Sequence, residues 1–213
     1  MVQRNLRYLL ALLMVPLLIL SAGIVRAAGP SPDELVKDVT NEVLNILRED
    51  KDIRSGNRQR AMDLIENKVA PHFDFTRMTS LAVGRAWQKA SSEQRQALTR
   101  EFHTLLVRTY ANSLTNYRDQ TVRFKPSKAA SGDEVVVHSE IAKPGAQAIP
   151  LDYSLSRSGD DWKVFDVAIG NISLVTNYRN NFANEVEKGG IDGLLKALQE
   201  KNHRRETDSP PAA

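Results

Sequence analysis

No cysteine occurs among the 213 residues. Disulfides, thiolate nucleophiles, zinc–thiolate sites and iron–sulfur ligation are therefore excluded, and stability has to come from an ordinary apolar core. Histidine is scarce as well. The four that occur, His72, His103, His138 and His203, show no metal-ligand spacing. The chain also lacks a Walker loop, a GxGxxG turn, a GxSxG elbow and an HExxH helix. Those absences remove the motif-bearing routes to nucleotide hydrolysis, dinucleotide binding, serine hydrolysis and zinc proteolysis. Internal repeats and low-complexity linkers are missing too, so the length suits one domain with one core.

The start of the chain is different in kind from the rest. Arg4 and Arg7 precede an uncharged, mostly apolar run from Tyr8 to Val25, and Val25-Arg26-Ala27 places small residues at the minus three and minus one positions. This pattern predicts a secretory signal peptide over residues 1–27. The run approaches spanning length, but Pro16, Ser21, Gly23 and the alanine-rich exit argue against an uncleaved anchor. Removal of residues 1–27 takes away three arginines and no acid, so Lys+Arg falls from 29 to 26 against 26 Asp+Glu. The mature chain is formally neutral, so the basic pI of the precursor gives no argument for a nucleic-acid or anionic-membrane partner, each of which would favour a basic stripe. The local cluster His203-Arg204-Arg205 sits in a polar stretch, residues 202–213, that is expected to be a disordered tail.

The first half of the mature chain reads as helical. Ser31-Pro32-Asp33-Glu34 combines an N-cap, an N1 proline and first-turn acids, opening a helix with Leu35, Val36, Val39, Val43, Ile46 and Leu47 on one face. A shorter helix is expected from about Asn57 to Val69, ended by Pro71. Asp74 suits an N-cap for the turn that carries Met78 and Leu81, with Gly84 as the stop. Ser91 to Gln94 reads as a capping box. It starts the longest periodic segment, whose stripe is Leu98, Phe102, Leu105, Leu106, Tyr110, Leu114 and Tyr117.

The second half reads as a sheet. Gln120 to Phe124, Glu134 to Ile141 and Ile149 to Ser156 alternate with period two, and the breakers between them are hairpin-like. From Trp162 to Ile169 apolar side chains fall on both parities, which predicts a central strand. Gly170-Asn171 breaks that run. Leu174, Val175, Tyr178, Phe182 and Val186 then recur at helical spacing until Gly189-Gly190. Together these give an α+β domain over residues 28–201, with a four-stranded antiparallel meander and helices packed across it.

Chemistry-bearing residues are few. Asp152 and Asp166 lie on neighbouring strands, with Tyr153 or Tyr110 as conceivable acid–base partners. Strand parity argues against the pair: if Tyr153 and Leu155 face the helices, Asp152 and Ser154 face solvent. His138 shares parity with Glu134 and Glu140. Asn171, Ser173, Thr176 and Asn177 at the strand-to-helix junction suit either hydrogen bonding to a polar ligand group at a pocket rim or simple helix capping.

One combination of motifs resembles a known family. Phe165 to Thr176 reads aromatic-x-Asp-Val-x-x-x-Gly-x-Ser-Leu-Val-Thr, and Lys188 to Leu194 reads LysGlyGlyIleAspGlyLeu. Upstream stand Phe73-Asp74-Phe75, then Val83, Gly84 and Trp87, then Ala90, Ser91, Gln94 and Arg95, then Phe102, Tyr110-Ala111, Leu114 and Tyr117. In order and spacing these residues resemble the MlaC, or toluene-tolerance, family of periplasmic phospholipid-binding proteins. The resemblance implies a nuclear-transport-factor-2-like architecture with an apolar cavity between sheet and helices. It also implies a periplasmic, non-enzymatic carrier with phospholipid as cargo and no cofactor. Its expected partners are an inner-membrane ABC transporter with an MCE-domain ring and an outer-membrane lipoprotein–porin complex, and its role is maintenance of outer-membrane lipid asymmetry.

For such a cavity, the sheet side of the wall is expected from Val137, Leu151, Tyr153, Val164, Val167 and Ile169. The helix side is expected from Phe102, Leu106, Tyr110, Tyr178 and Phe182, and Phe75, Met78, Leu81 and Trp87 would close or gate it. The rival readings are a small-molecule isomerase-like enzyme on the same fold, which requires a buried acid or histidine aimed into the pocket, and an interaction module with no cavity.

Overall fold

The computed structural model describes residues 29–126 and 132–207. The expected leader, residues 1–27, and the final residues 208–213 lie outside them. Ser31 caps α1 (Pro32–Glu49) through a complete capping box: its hydroxyl accepts from the Glu34 backbone, and the Glu34 carboxylate accepts from the Ser31 backbone. The short α2 (Lys51–Arg54) and α3 (Arg58–Leu64) follow, capped by Asp50 and Asn57. Beyond α3 the coil widens into a π-turn over Ile65–Val69 and then tightens into a 3₁₀ turn over Ala70–His72. Pro71 has no N–H to return to the preceding turn, so an α-helix cannot continue through it.

Asp74 caps α4 (Phe75–Val83) by accepting from the Arg77 backbone at 2.8 Å. A 3₁₀ helix, Gly84–Lys89, leads to the Ser91 capping box and α5 (Ser92–Thr115). The strands are β1 (Thr121–Phe124), β2 (Glu134–Ala142), β3 (Ile149–Ser158), β4 (Asp161–Ile169) and β5 (Ile172–Ser173), antiparallel and in sequence order. The sheet thus has five strands where the periodicity predicts four. Gly170 and Asn171 both take positive φ, 60° and 67°, which makes the break after β4 a hairpin turn returning the chain as β5.

Two further expectations are corrected. First, β4 is next to the edge, not central. β5 pairs only with Ala168 and Ile169, and the remaining edge is touched by Phe73, which bridges to Val164. The mixed parity of β4 has another cause. Its register against β3 slips between Ser154 and Leu155, so that Leu155 faces Val164 while Tyr153 faces Val167. Phe165 is the extra residue of a β-bulge, and Trp162, Val164, Val167 and Ile169 all end on the helix-facing side.

Second, α6 (Leu174–Thr207) breaks at the glycine pair, as expected, but resumes as helix beyond it. Gly190, with φ 66° and ψ −161°, bends it, and the second half continues past the point where a disordered tail was expected. Asn202 is buried there, and its amide donates to the Glu101 backbone and carboxylate, tying the helix end to α5.

The core has three parts. Helices α4, α5 and α6 enclose Met78, Leu98, Phe102, Leu105, Tyr178 and Phe182. The inner face of the sheet and α1 share Val36, Val137, Leu155, Trp162, Val164 and Val167. A smaller cluster joins α1, α2, α3 and the end of α5 around Leu47, Ile53, Ala61 and Ala111. Among the described residues no helix is long and apolar enough to cross a membrane.

Candidate functional site

Between the sheet and the helices lie two chambers. The larger, about 520 Å³, is walled by one face of α1 (Leu35, Val36, Val39, Thr40, Val43, Leu44 and Leu47), by the end of α5 and by Val122, Ile141, Ile149, Tyr153 and Val164 of the sheet. The smaller, about 240 Å³, lies deeper along α5 against Leu106, Val107 and Tyr110, with Phe75 and Met78 of α4 and Leu151, Val167 and Ile169 of the sheet. Val43, Val69, Phe73, Ser113, Leu114 and Tyr153 border both, so the chambers are two lobes of one space divided by six side chains.

The void follows from which side chains line it. α1 sends valines and leucines toward a sheet whose inner face is also largely aliphatic; Val36 reaches the sheet core, while Val39, Val43 and Leu44 border open space. Phe165, a large side chain of β4, does not fill it. The bulge turns its ring toward α4, where the Arg77 guanidinium carbon sits 3.7 Å from the ring centroid.

Polar groups are sparse, and three of them, Tyr110, Tyr153 and His72, are shifted toward their neutral forms. Burial, with a smaller contribution from Tyr178, pushes the Tyr110 phenol up to about 12. Burial also raises the Tyr153 phenol, partly offset by a hydrogen bond with Thr40. The imidazole of His72, on the larger chamber, is lowered chiefly by burial and then by Lys163, against an opposing pull from Glu42. Lys143, in the β2–β3 turn, is the one lysine or arginine on either wall among the described residues, and no Asp or Glu lines either chamber there.

The carboxylates considered for acid–base work are committed elsewhere. Asp152 lies on the far face of the sheet, with an oxygen 3.0 Å from His138 Nδ1. Asp166 accepts from the Ser173 hydroxyl at 2.6 Å and from the backbone N–H groups of Val167 at 2.9 Å and Val175 at 3.1 Å, so it secures the start of α6. Ser173 in turn accepts from the Thr176 backbone at 3.0 Å, which gives the strand-to-helix junction a capping role.

The residues singled out from the sequence divide into two groups. Phe75, Met78, Leu106, Tyr110, Leu151, Tyr153, Val167 and Ile169 border the smaller chamber, and Val164 and Tyr153 border the larger. The others border neither. Phe102, Tyr178 and Phe182 form an aromatic cluster between α5 and α6, with ring centroids 5.0, 5.1 and 5.6 Å apart. Leu81 and Trp87 pack against that same helical cluster, and Val137 is fully enclosed under the sheet. Missing from the sequence-based set are the α1 face, Val69, Phe73 and Leu114. The period of Leu35, Val36, Val39 and Val43 marked α1 as amphipathic; only its docking across the sheet makes that face a chamber wall.

Comparison with known proteins places this geometry in context. Residues 37–200 match the family model described as MlaC protein. The toluene tolerance protein Ttg2D of Pseudomonas putida is 27% identical over 179 residues, spanning 83% of this chain and 83% of that protein. The intermembrane phospholipid transport system binding protein MlaC of Haemophilus influenzae is 23% identical over 177 residues, spanning 81% and 83%. Among solved structures, a phospholipid-binding protein from Ralstonia solanacearum, determined in complex with a phospholipid, superposes with a TM-score of 0.78 at 38% identity. That match covers 83% of this chain and 99% of the other.

Proposed function

Because the chain belongs to the MlaC family, we propose that it is a phospholipid carrier whose two chambers shield the acyl chains and leave the headgroup at the surface. The observation that carries this reading is the bilobed space itself, lined by aliphatic and aromatic side chains with no carboxylate on either wall among the described residues. Acid–base chemistry would need a convergent acid–base pair there; the larger chamber offers the His72 imidazole but no carboxylate among the described residues, so the reading is of a binding and transport protein and not of an enzyme. The lipid bound in the Ralstonia relative supports the same assignment.

The energetics explain the wall composition. Each buried methylene is worth about 0.8 kcal/mol, so removing a sixteen-carbon chain from water is worth on the order of 12 kcal/mol. A carrier succeeds by enclosure alone, and a wetted headgroup needs no charged clamp. The sheet with helices across one face, an arrangement of the nuclear-transport-factor-2 type, provides the enclosure, and the cavity residues named from the sequence that border the chambers are its wall. Residues 1–27 act as a signal peptide that exports one lipid-binding domain to the periplasm. There the carrier shuttles lipid between an outer-membrane lipoprotein–porin complex and an inner-membrane ABC transporter with an MCE-domain ring, maintaining outer-membrane lipid asymmetry.

Native mass spectrometry of the mature protein, purified from a Gram-negative periplasm without detergent, tests the reading. The expected result is a stoichiometric mass increment that resolves into phospholipid on extraction. Val43→Arg, at the division between the lobes, is expected to keep the far-UV circular dichroism of the parent and to lose the increment. A bare parent protein, or full lipid occupancy in the folded variant, overturns the assignment of the chambers.

A further inference from the structure

A third hollow lies on the other side of α4 and shares no lining residue with the lipid chambers. It is a groove of about 810 Å³ between the 3₁₀ helix Gly84–Lys89 and the first half of α6. On the α6 side it is bordered by Arg179, Ala183, Val186, Glu187 and Gly190, the spacing of one continuous helix face. From residue 179 to 190 that face runs about 17 Å, or about three helical turns. Across from it stand Val83 and Ala86, and Ile191 closes one end.

Small side chains at Ala86 and Ala183 allow a backbone to approach closely, and Val83, Val186 and Ile191 supply an apolar floor. The rim is cationic. Arg85 and Lys89 are exposed on one bank and Arg179 on the other, against the single carboxylate of Glu187. Arg179 Nε donates to the Leu81 carbonyl at 3.1 Å, which holds that guanidinium at the edge of the groove. In a mature chain whose formal charges balance, three cations against one carboxylate around an apolar trough leave a net positive local field.

We propose that this groove is a docking site for an amphipathic helix of a partner protein, with aliphatic side chains on the buried face and acidic side chains along its flanks. The length matches about three turns, the floor takes i, i+3/i+4 and i+7 apolar anchors, and the cations select acidic flanks. α4 separates the groove from the smaller chamber, with Met78 facing the chamber and Val83 the groove, so a partner can engage without displacing the cargo.

The test uses the full mature protein and a fluorescein-labelled synthetic helix of about fourteen residues, with leucines at i, i+4, i+7 and i+11 and glutamates on both flanks. Fluorescence anisotropy is expected to show saturable binding that weakens with salt. The double variant Arg85→Glu with Lys89→Glu, and separately the groove-filling Ala183→Trp, are each expected to weaken binding by about tenfold or more. Native mass spectrometry of both variants is expected to show unchanged bound lipid, which keeps the result separate from the lipid-carrier assignment. No saturable binding, or binding indifferent to both variants, overturns the proposal. Two other outcomes overturn it in favour of a different occupant: flotation on phosphatidylglycerol vesicles that depends on Arg85 and Lys89 identifies a membrane surface, and a dimer in light scattering that Ala183→Trp dissociates identifies a second copy of this chain.

Discussion

Toward α4 and α6, helix α5 presents Leu98, Phe102 and Leu105, each with no exposed surface; toward the sheet and α1 the same helix presents Leu106, Tyr110 and Leu114, which border empty space. Both faces are apolar, so hydrophobicity does not distinguish the solid half of the molecule from the hollow half. Side-chain reach does. The solid half is filled by aromatic rings that meet edge to face, Phe102 against Tyr178 and Phe182. The hollow half is faced largely with valine, leucine and isoleucine from α1 and the sheet, while the ring of Phe165 is turned away onto Arg77. An interior stays open where facing walls do not reach each other, and the rings that line this one, Phe73, Phe75, Tyr110, Tyr117 and Tyr153, border the space without filling it.

The solid half is the more sensitive to truncation. Phe102→Ala removes the ring at the centre of the aromatic cluster and is expected to cost about 3–5 kcal/mol, seen as a large fall in thermal midpoint. A midpoint close to that of the parent would mean that the helical cluster is not the stabilising half.

The link between the halves is the next largest effect. Asp166 stands on β4 beside the hollow half and holds the first turn of α6, which belongs to the solid half. Asp166→Ala leaves those donors unpaired and is expected to lower stability by about 1–2 kcal/mol in urea unfolding, with the slope unchanged.

Filling the hollow half is expected to have the opposite profile. Val39→Phe projects a ring from α1 into the larger chamber and is expected to change stability by less than about 1–2 kcal/mol, in either direction, while displacing lipid in native mass spectrometry. A variant that retains full lipid occupancy would show that the α1 lobe is not used.

The smallest expected effect is a pH dependence confined to the hollow half. The folded state lowers the affinity of His72 for a proton, so below the unfolded value near 6.5 the unfolded chain binds the proton more readily. Stability from this group is therefore full above about pH 6.5 and declines as pH falls toward the lower folded value. His72→Asn is expected to flatten that part of the thermal midpoint against pH, between about 5 and 7. A profile unchanged by the substitution would assign the slope to other groups.

Much of this architecture is legible in the residues. Ser31 with Glu34, Asp74 and Ser91 with Gln94 announce helix starts, and each makes the cap its type predicts. The alternation in β2 and β3 marks the inner face, and the side chains of that parity are the ones that turn toward the helices. The limits are equally specific. The stripe on α5 reads as one face, yet Phe102 packs into the helical cluster, Tyr117 packs against the α1–α3 cluster and Tyr110 borders a chamber. A stripe that broad meets several neighbours, and period alone does not say which neighbour each residue will meet. For the same reason α1 reads as an amphipathic helix with no hint that its valines border a void.

Local chemistry thus determined the elements: where helices begin, where strands alternate, and that the interior is apolar and free of thiols, because caps, turns and periodicity are interactions between residues close in the chain. Tertiary structure decided which of those apolar faces touch each other and which enclose space. Three features of the packing made that decision: the register slip that turns Phe165 onto α4, the return of the chain along α5 beyond Gly190, and the docking of α1 across the sheet. A cavity is an absence of contact between residues far apart in the chain, and only the complete packing of all its walls brings it into being.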